Sequence, residues 1–336
     1  MSDKKIRVGV IGAGSIARSV HLPSLADIDG CEPIWICDLR EDRAKAQAER
    51  FGIPKYGTNY VSLLESDRPD AVFVLVQPDQ LFRIALDSIR AGCHVFMEKP
   101  MGITLYQAET LLRESEKAGV QCQVGFNRRF VPLVQEVVAR MKALGPIHQI
   151  DGWFYKNSSA AFYDGCSSAY TCDMVHTVDL IRHIAGAPAR QAVKLTARYG
   201  DSPVDNAWNA LIAFENGISA TAHANYATGG RVHGFAIHGA AASAYIDLGF
   251  GTEACSAKIL YCVNGTFSMA SGGAGEQNIE LLDGKQIAES ERYYRYYGYY
   301  SEDKMFIEAL LARKRVPCDA QDAVETMRLM EQIKTL

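Results

Sequence analysis

The run Ile6-Arg-Val-Gly-Val-Ile-Gly12-Ala-Gly14-Ser-Ile-Ala17 constrains this chain more than any other stretch, because it sets G-x-G-x-x-A between an apolar run and a helical pattern. Gly12 permits a tight turn, Gly14 lets the backbone approach a pyrophosphate, and small Ala17 lets the helix pack closely on the strand. The helix start offers unpaired N–H groups and a positive dipole end to phosphates. Asp38 ends the next apolar run, at the distance where such turns carry an acid for ribose hydroxyls. The spacing predicts a dinucleotide site that includes Gly12, Gly14, Ser15, Ile16 and Asp38. A carboxylate here favours NAD, since a 2′-phosphate would meet a negative charge. Arg40 bears on that choice: turned outward it leaves NAD preferred, whereas clamping a phosphate it admits NADP.

The 336 residues suit two domains. Net charge is −4 and the Lys and Arg residues are scattered, so nothing points to nucleic acid or an anionic membrane, and a small-molecule partner is expected. No apolar stretch reaches the ~20 residues of a membrane span. Lys4 and Lys5 precede an apolar run as in a signal peptide, but that run is short and meets the Gly-rich turn, which suits a buried first strand. The nine cysteines are odd in number and contain no Cys-x-x-Cys pair. That pattern predicts reduced thiols in the cytoplasm rather than a disulfide scaffold or structural zinc.

Up to residue 125, short apolar runs (Ile6–Ile11, Ile34–Cys37, Ala71–Val76, His94–Met97, Gln121–Val124) alternate with helical stretches (Arg40–Phe51, Leu81–Ala91, Leu105–Ala118). Such alternation builds an α/β Rossmann domain, a doubly wound parallel sheet. After Gly145-Pro146, strands are expected at 147–156, 191–199, 207–214, 218–226, 232–238 and 243–247, with helices near 172–184, 301–313 and 320–333. Strands in sequence without intervening helices predict an α+β domain with a large, mostly antiparallel, open-faced sheet. The expected division is 1–125 for the nucleotide domain and 126–336 for the substrate and oligomerisation domain, with the last helix able to pack back on the first.

In an open α/β sheet, residues leaving the carboxyl ends of strands line the ligand crevice. Gln77, Pro78, Glu98 and Lys99 are therefore counted with the cofactor site. At such an edge a lysine can exchange a proton with a substrate hydroxyl, although a lone lysine after a strand is more often a solvated surface residue. On the helix that runs from Cys172 to His183, residues three or four apart share a face, so Asp173 and His176 can both point into the crevice. His176 is suited to taking the hydroxyl proton as hydride leaves carbon, with Asp173 orienting it. A metal set of His176, Asp179 and His183 has plausible spacing but no acid or thiol cluster around it, and no metal is expected.

The Gly-rich turn, Glu98-Lys99-Pro100, Gly125-Phe-Asn-Arg-Arg-Phe130, the His176–Asp179 helix and the pattern of Tyr299, Phe306 and Asp322–Met330 carry a resemblance. Along essentially its whole length the chain resembles the glucose–fructose oxidoreductase/inositol dehydrogenase/rhizopine-catabolism (Gfo/Idh/MocA) family. The resemblance implies an oxidoreductase of sugars, polyols or related compounds, with Lys99 in the catalytic pair. It also implies a homodimer or homotetramer joined through the open face of the second sheet. Two departures stand out. Cys172 occupies the position four residues before the histidine where the family commonly has an acid, and Phe82 stands where relatives often carry His.

Arg129, Tyr155, Asn157, Tyr163 and Asp164 are further substrate-pocket candidates, each more often a fold or surface residue. The tyrosines at 293–300 suit stacking on a sugar or packing between subunits. His21 is expected to be structural or near the cofactor phosphates. Hydride transfer between a secondary alcohol and NAD, with Lys99, His176 and Asp173 catalytic, is the expected reaction. The alternatives are a glycosidase working by transient oxidation with NAD and a non-catalytic dinucleotide sensor.

Overall fold

The computed structural model describes residues 4–249, 254–262 and 278–335. The chain divides into two compact units, Met1–Asn127 with Tyr293–Arg328, and Arg128–Arg292 with Leu329–Leu336.

Six strands form the sheet of the first unit: β1 (Ile6–Ile11), β2 (Cys31–Cys37), β3 (Tyr56–Gly57), β4 (Ala71–Val74), β5 (His94–Glu98) and β6 (Cys122–Gly125). Their order is β3-β2-β1-β4-β5-β6 and every pairing is parallel. The order reverses direction at β1, which places a topological switch point at the Gly12 turn. Between the strands lie α1 (Leu22–Ala26), α2 (Glu41–Phe51), α3 (Tyr60–Asp67), α4 (Pro78–Arg90) and α5 (Leu105–Ala118). The Asn59 side chain caps α3 by accepting from the Val61 and Ser62 N–H groups, and Thr104 caps α5 at Gln107. Neither β3 nor α3 belongs to the expected pattern.

The second unit opens with α6 (Pro132–Leu144) and β7 (Ile147–Asn157), then a small hairpin of β8 (Ala161–Phe162) and β9 (Ser167–Ser168). After α7 (Val175–Ala185) come β10 (Ala189–Ala197), β11 (Ala207–Phe214), β12 (Ser219–Asn225), β13 (Ala227–Gly239), β14 (Ala242–Asp247), β15 (Ser256–Tyr261), β16 (Asn278–Asp283), α8 (Gly284–Ile287) and the terminal β17 (Lys334–Thr335). Nine of these strands form one sheet in the order β16-β15-β14-β13-β7-β12-β11-β10-β17. Only β7–β12 and β10–β17 pair in parallel. The expected large, mostly antiparallel sheet is present, and β15, β16 and β17 extend it.

Helices cover one face of this sheet, α7 on β7 and β12 and α6 on β13, β14 and β15. Side chains alternate along a strand. In β7, therefore, Ile150, Gly152 and Phe154 face α7, and a side chain at Gly152 would collide with Thr177 of that helix. On the opposite, open face stand Leu195, Leu211, Val232, Tyr245 and Leu281, all well exposed.

The chain then returns to the first unit with α9 (Tyr293–Tyr296), α10 (Tyr299–Leu311) and α11 (Ala320–Gln332), the last running across the division at 328/329. A single cut after residue 125 would assign 293–328 to the second domain. Packing explains why the segment belongs to the first. Phe306, Ile307, Leu310 and Val316 are buried in one cluster with Val8, Val10, Phe73 and Phe96. Phe73 stacks on Phe96 at 4.6 Å, and Phe306 meets both edge-on at 5.6 and 5.8 Å. Residue 318 is also tied to β6, where the Val124 N–H donates to the Cys318 carbonyl at 3.1 Å.

Candidate functional site

The turn after β1 has the geometry its glycines were expected to provide. Gly12 adopts φ +104°, and a Cβ there would stand 2.3 Å from the Leu75 carbonyl oxygen. Its N–H donates to the Cys37 carbonyl at 2.8 Å, tying the turn to β2. At Gly14 the reverse holds: a Cβ would meet nothing within 4 Å. Backbone with open space in front of it is what a pyrophosphate needs. Ala17 is fully buried, whereas Ser15 is exposed and Ile16 half-buried at the start of the helix.

Asp38 braces this turn. One carboxylate oxygen accepts from the Ala13 N–H at 2.8 Å and the other from the Arg40 N–H at 2.9 Å. Each carboxylate oxygen has a second lone pair, so ribose hydroxyls can still be accepted. The Arg40 guanidinium turns away to Asp42, 2.8 Å off, with both side chains mostly in solvent. Gln77 is exposed at the start of α4 and Pro78 fills the first helical turn, where its missing N–H costs nothing. These residues fit a dinucleotide.

Glu98 is buried, with one oxygen 3.0 Å from His21 Nε2 and the other accepting the Lys99 N–H at 3.2 Å. His21 is itself wholly buried, and its Nδ1 lies 3.0 and 3.1 Å from the two Asp303 oxygens. A carboxyl group at each ring nitrogen favours the doubly protonated ring. Burial alone would lower its pKa, but Asp303 by charge and hydrogen bond, and then Glu98, outweigh this and hold it well above the usual value. Burial in turn pushes Asp303 upward. Among the described residues, His21, Glu302 and Asp303 are the one group within metal-ligating reach. Lys99, half-buried, follows directly and precedes Pro100 through a cis peptide bond.

The tyrosine-rich segment is used inside the first unit. Tyr294, Tyr296 and Tyr297 are buried, and the Tyr294 hydroxyl donates to Asp27 at 2.6 Å. Tyr293 stacks on Tyr297 at 4.9 Å.

In the second unit His176 is buried on α7. Asp179, one turn on, is gripped by Arg129 through two contacts of 2.7 and 2.5 Å, both side chains nearly out of solvent. Arg129 thus ties the segment before α6 to α7 within the second unit. The segment before α7, Tyr170–Met174, is a π-type turn rather than a regular α-turn. Asp173 lies in this turn, and His176 on α7 just beyond it. The Asp173 carboxylate takes the Lys156 ammonium at 2.8 Å and a short hydrogen bond from the Tyr226 hydroxyl. The Lys156 ammonium also lies 4.5 Å from the centre of the Tyr226 ring and 5.5 Å from those of Phe154 and Phe162. Burial and then the charge of Asp173 push the Tyr226 hydroxyl up. Cys172 is buried with its sulfur 3.1 Å from the Ser167 hydroxyl.

Sequence reasoning passed over Lys156 and Tyr226. The signal for Lys156 was its even position on β7, which puts it on the Phe154 face. The same alternation moves Tyr155 to the open face, away from α7, and leaves Asn157 at the strand's exposed end. Tyr163 and Asp164 form a turn with two successive left-handed conformations, φ 54° and 53°. Such strained backbone concentrates at functional sites.

Residues 6–126 match the model of the oxidoreductase family with an NAD-binding Rossmann fold, and residues 134–245 match that of the GFO/IDH/MocA C-terminal domain. Over 125 residues the chain is 35% identical to myo-inositol 2-dehydrogenase of Thermotoga maritima, covering 37% of each protein. The chain spans 59% and 63% of the length of two further curated relatives. Among solved structures, a dehydrogenase from Chromobacterium violaceum superposes with a TM-score of 0.84 at 22% identity, over 98% of this chain and 94% of that one. Levoglucosan dehydrogenase, solved with NADH and levoglucosan, gives 0.81 at 19% identity, over 98% and 96%. At such identities the structural likeness establishes the fold. With its glycine turn and both halves matched, this chain belongs to the Gfo/Idh/MocA oxidoreductase family.

Proposed function

We propose that the protein is an NAD-dependent dehydrogenase that moves hydride between a secondary alcohol of a sugar, polyol or inositol and nicotinamide. The observation that carries this is the turn itself, with Gly14 facing open space and Asp38 braced beside it. Asp38 would accept the ribose hydroxyls, and the outward turn of Arg40 supports NAD over NADP. Bound nicotinamide supplies the hydride chemistry.

Lys99 and His176 would bind the reacting hydroxyl and hold its proton as the carbon–hydrogen bond breaks. Asp173 would act with Lys156 and Tyr226, its partners in the fold, so the second unit would present an ammonium and a phenol in addition to the imidazole. The open sheet face, with Leu195, Leu211, Val232, Tyr245 and Leu281 exposed, would join copies into a dimer or tetramer. The cytoplasm is the proposed compartment. None of the nine cysteines is paired in a disulfide, and no described helix is long and apolar enough to cross a membrane.

A second reading is a dinucleotide sensor, favoured by the engagement of Asp173 in the Lys156–Tyr226 cluster. The two are separated by offering NAD and NADP with myo-inositol, scyllo-inositol, levoglucosan, sugar acids and aryl glycosides. Reduced nicotinamide that disappears in Lys99→Met supports the dehydrogenase. Cofactor binding without turnover across the panel supports the sensor, and aglycone release without net reduction indicates transient oxidation during glycoside cleavage.

A further inference from the structure

We propose that His21 is a positioning residue for Lys99, acting through the carboxylate of Glu98; this rests on the reading of Lys99 as a proton-transfer group. The four residues involved lie within the first unit and form one chain of contacts. Asp303 on α10 meets His21 Nδ1 at 3.0 Å, His21 Nε2 meets Glu98 at 3.0 Å, and the second Glu98 oxygen receives the Lys99 N–H at 3.2 Å.

His21 is placed by the π-type turn Ala17–His21, which follows the Gly14 turn directly and donates from Arg18 back to the Gly14 carbonyl. Such turns gather at functional sites. Phe73, Phe96 and Tyr299 meet the imidazole edge-on at 6.2, 5.3 and 5.5 Å, and no part of it reaches solvent. Asp303 and Glu98 take the two nitrogens of His21, and a carboxylate oxygen of Glu302 lies within 4.8 Å of ligand atoms of His21 and Asp303. Stability is a weak reason to keep such a cluster, since apolar residues of similar volume often do as well or better. What the cluster does provide is a fixed direction. It leaves Glu98 one orientation, and Glu98 fixes the backbone amide from which the Lys99 side chain projects. A water-excluded network holds its members more stiffly than exposed hydrogen bonds would.

The test uses the full chain as His21→Gln, Glu98→Gln and Lys99→Met, singly and paired with Lys99→Met. NADH affinity, read by fluorescence, should be unchanged in His21→Gln, whose side chain is wholly buried. For the panel compound oxidised fastest, kcat should fall about 10- to 100-fold with KM little changed, the scale of a misplaced catalytic group. In the Lys99→Met background the same replacements should have no further effect. A second readout needs no turnover: the rate of trace acetylation of Lys99 at one pH, followed by mass spectrometry, should change by about 3-fold or more while that of exposed Lys45 does not. Unchanged kcat and labelling, or an equal loss with and without Lys99, would overturn the proposal. Wild-type turnover in Lys99→Met would instead overturn the reading beneath it. If His21→Gln fails to fold, Glu98→Gln carries the same comparison, and if no compound is oxidised the labelling decides.

Discussion

Arg129 holds Asp179 in a two-pronged ion pair, Nε to one carboxylate oxygen at 2.7 Å and Nη2 to the other at 2.5 Å, with neither side chain appreciably exposed. The pair ties the short helical turn Asn127–Phe130 to α7 one turn beyond His176. Removing one partner strands a buried charge. Asp179→Ala should therefore lower stability by about 3–5 kcal/mol, whereas Arg129→Met with Asp179→Leu should recover most of that loss. Urea denaturation followed by Trp208 fluorescence measures both. A single-variant loss below about 1 kcal/mol, the range of exposed pairs, would contradict the assignment.

Gly12 and Gly14 should separate folding from binding. A methyl at Gly12 meets the Leu75 carbonyl at 2.3 Å in a left-handed conformation, so Gly12→Ala should destabilise the first unit and abolish cofactor binding together. At Gly14 the methyl meets only open space. Gly14→Ala should keep the wild-type melting temperature but lose NADH affinity by about 10-fold or more, because the methyl occupies the approach of the pyrophosphate. Equal melting shifts in the two variants, or full NADH affinity in Gly14→Ala, would count against a phosphate-facing turn.

Much of the first sheet was legible because its information is local. The strands buried on both faces read as apolar runs, and Gly12, Gly14 and Ala17 name a turn by sterics alone. The site was legible only in outline. Arg129 read as a polar group in search of a ligand, since the partner that neutralises it is 50 residues away. The face that Tyr155 joins needed the fold as well, because alternation along a strand separates two faces and only the placement of α7 tells them apart. Glu98 and His21 were separately visible, but the contact between them spans 77 residues and needed the fold. Periodicity gave the helices near 301–313 and 320–333 but not the short one at Tyr293–Tyr296, and nothing in it reveals which core Phe306 enters.

Asp38 makes cofactor choice testable with a neutral isostere. Asp38→Asn keeps an acceptor for one backbone N–H but removes the negative charge that a 2′-phosphate would meet. The ratio of NADPH to NADH dissociation constants should move toward NADPH by about 10-fold, equivalent to ~1.4 kcal/mol. No movement in that ratio would mean that Asp38 serves the turn and not the ribose.

Two buried histidines should give the units opposite pH dependence. His21 is held well above its unfolded pKa of 6.5, so it binds more proton folded than unfolded. Its contribution is complete below 6.5 and is lost as pH rises through the raised value, with a slope of up to about 1.4 kcal/mol per pH unit. Asp303, raised by burial, contributes in the same direction from a lower starting point. His233 is the reverse: burial first, then Arg128 and Arg231, hold it well below 6.5, and its Nδ1 accepts from Arg128 at 3.1 Å. Its contribution is complete above 6.5 and is lost as pH falls toward the lowered value. Urea midpoints from pH 5 to 9 should be compared between wild type and each histidine variant. Trp35 reports the first unit and Trp208 the second. His21→Gln should flatten the alkaline fall at Trp35, and His233→Gln the acid fall at Trp208. His94, lowered by burial, works against His21 in the first unit, so the difference between variant and wild type is the quantity to read. An alkaline slope at Trp35 that survives His21→Gln unchanged would show that His21 is not its source.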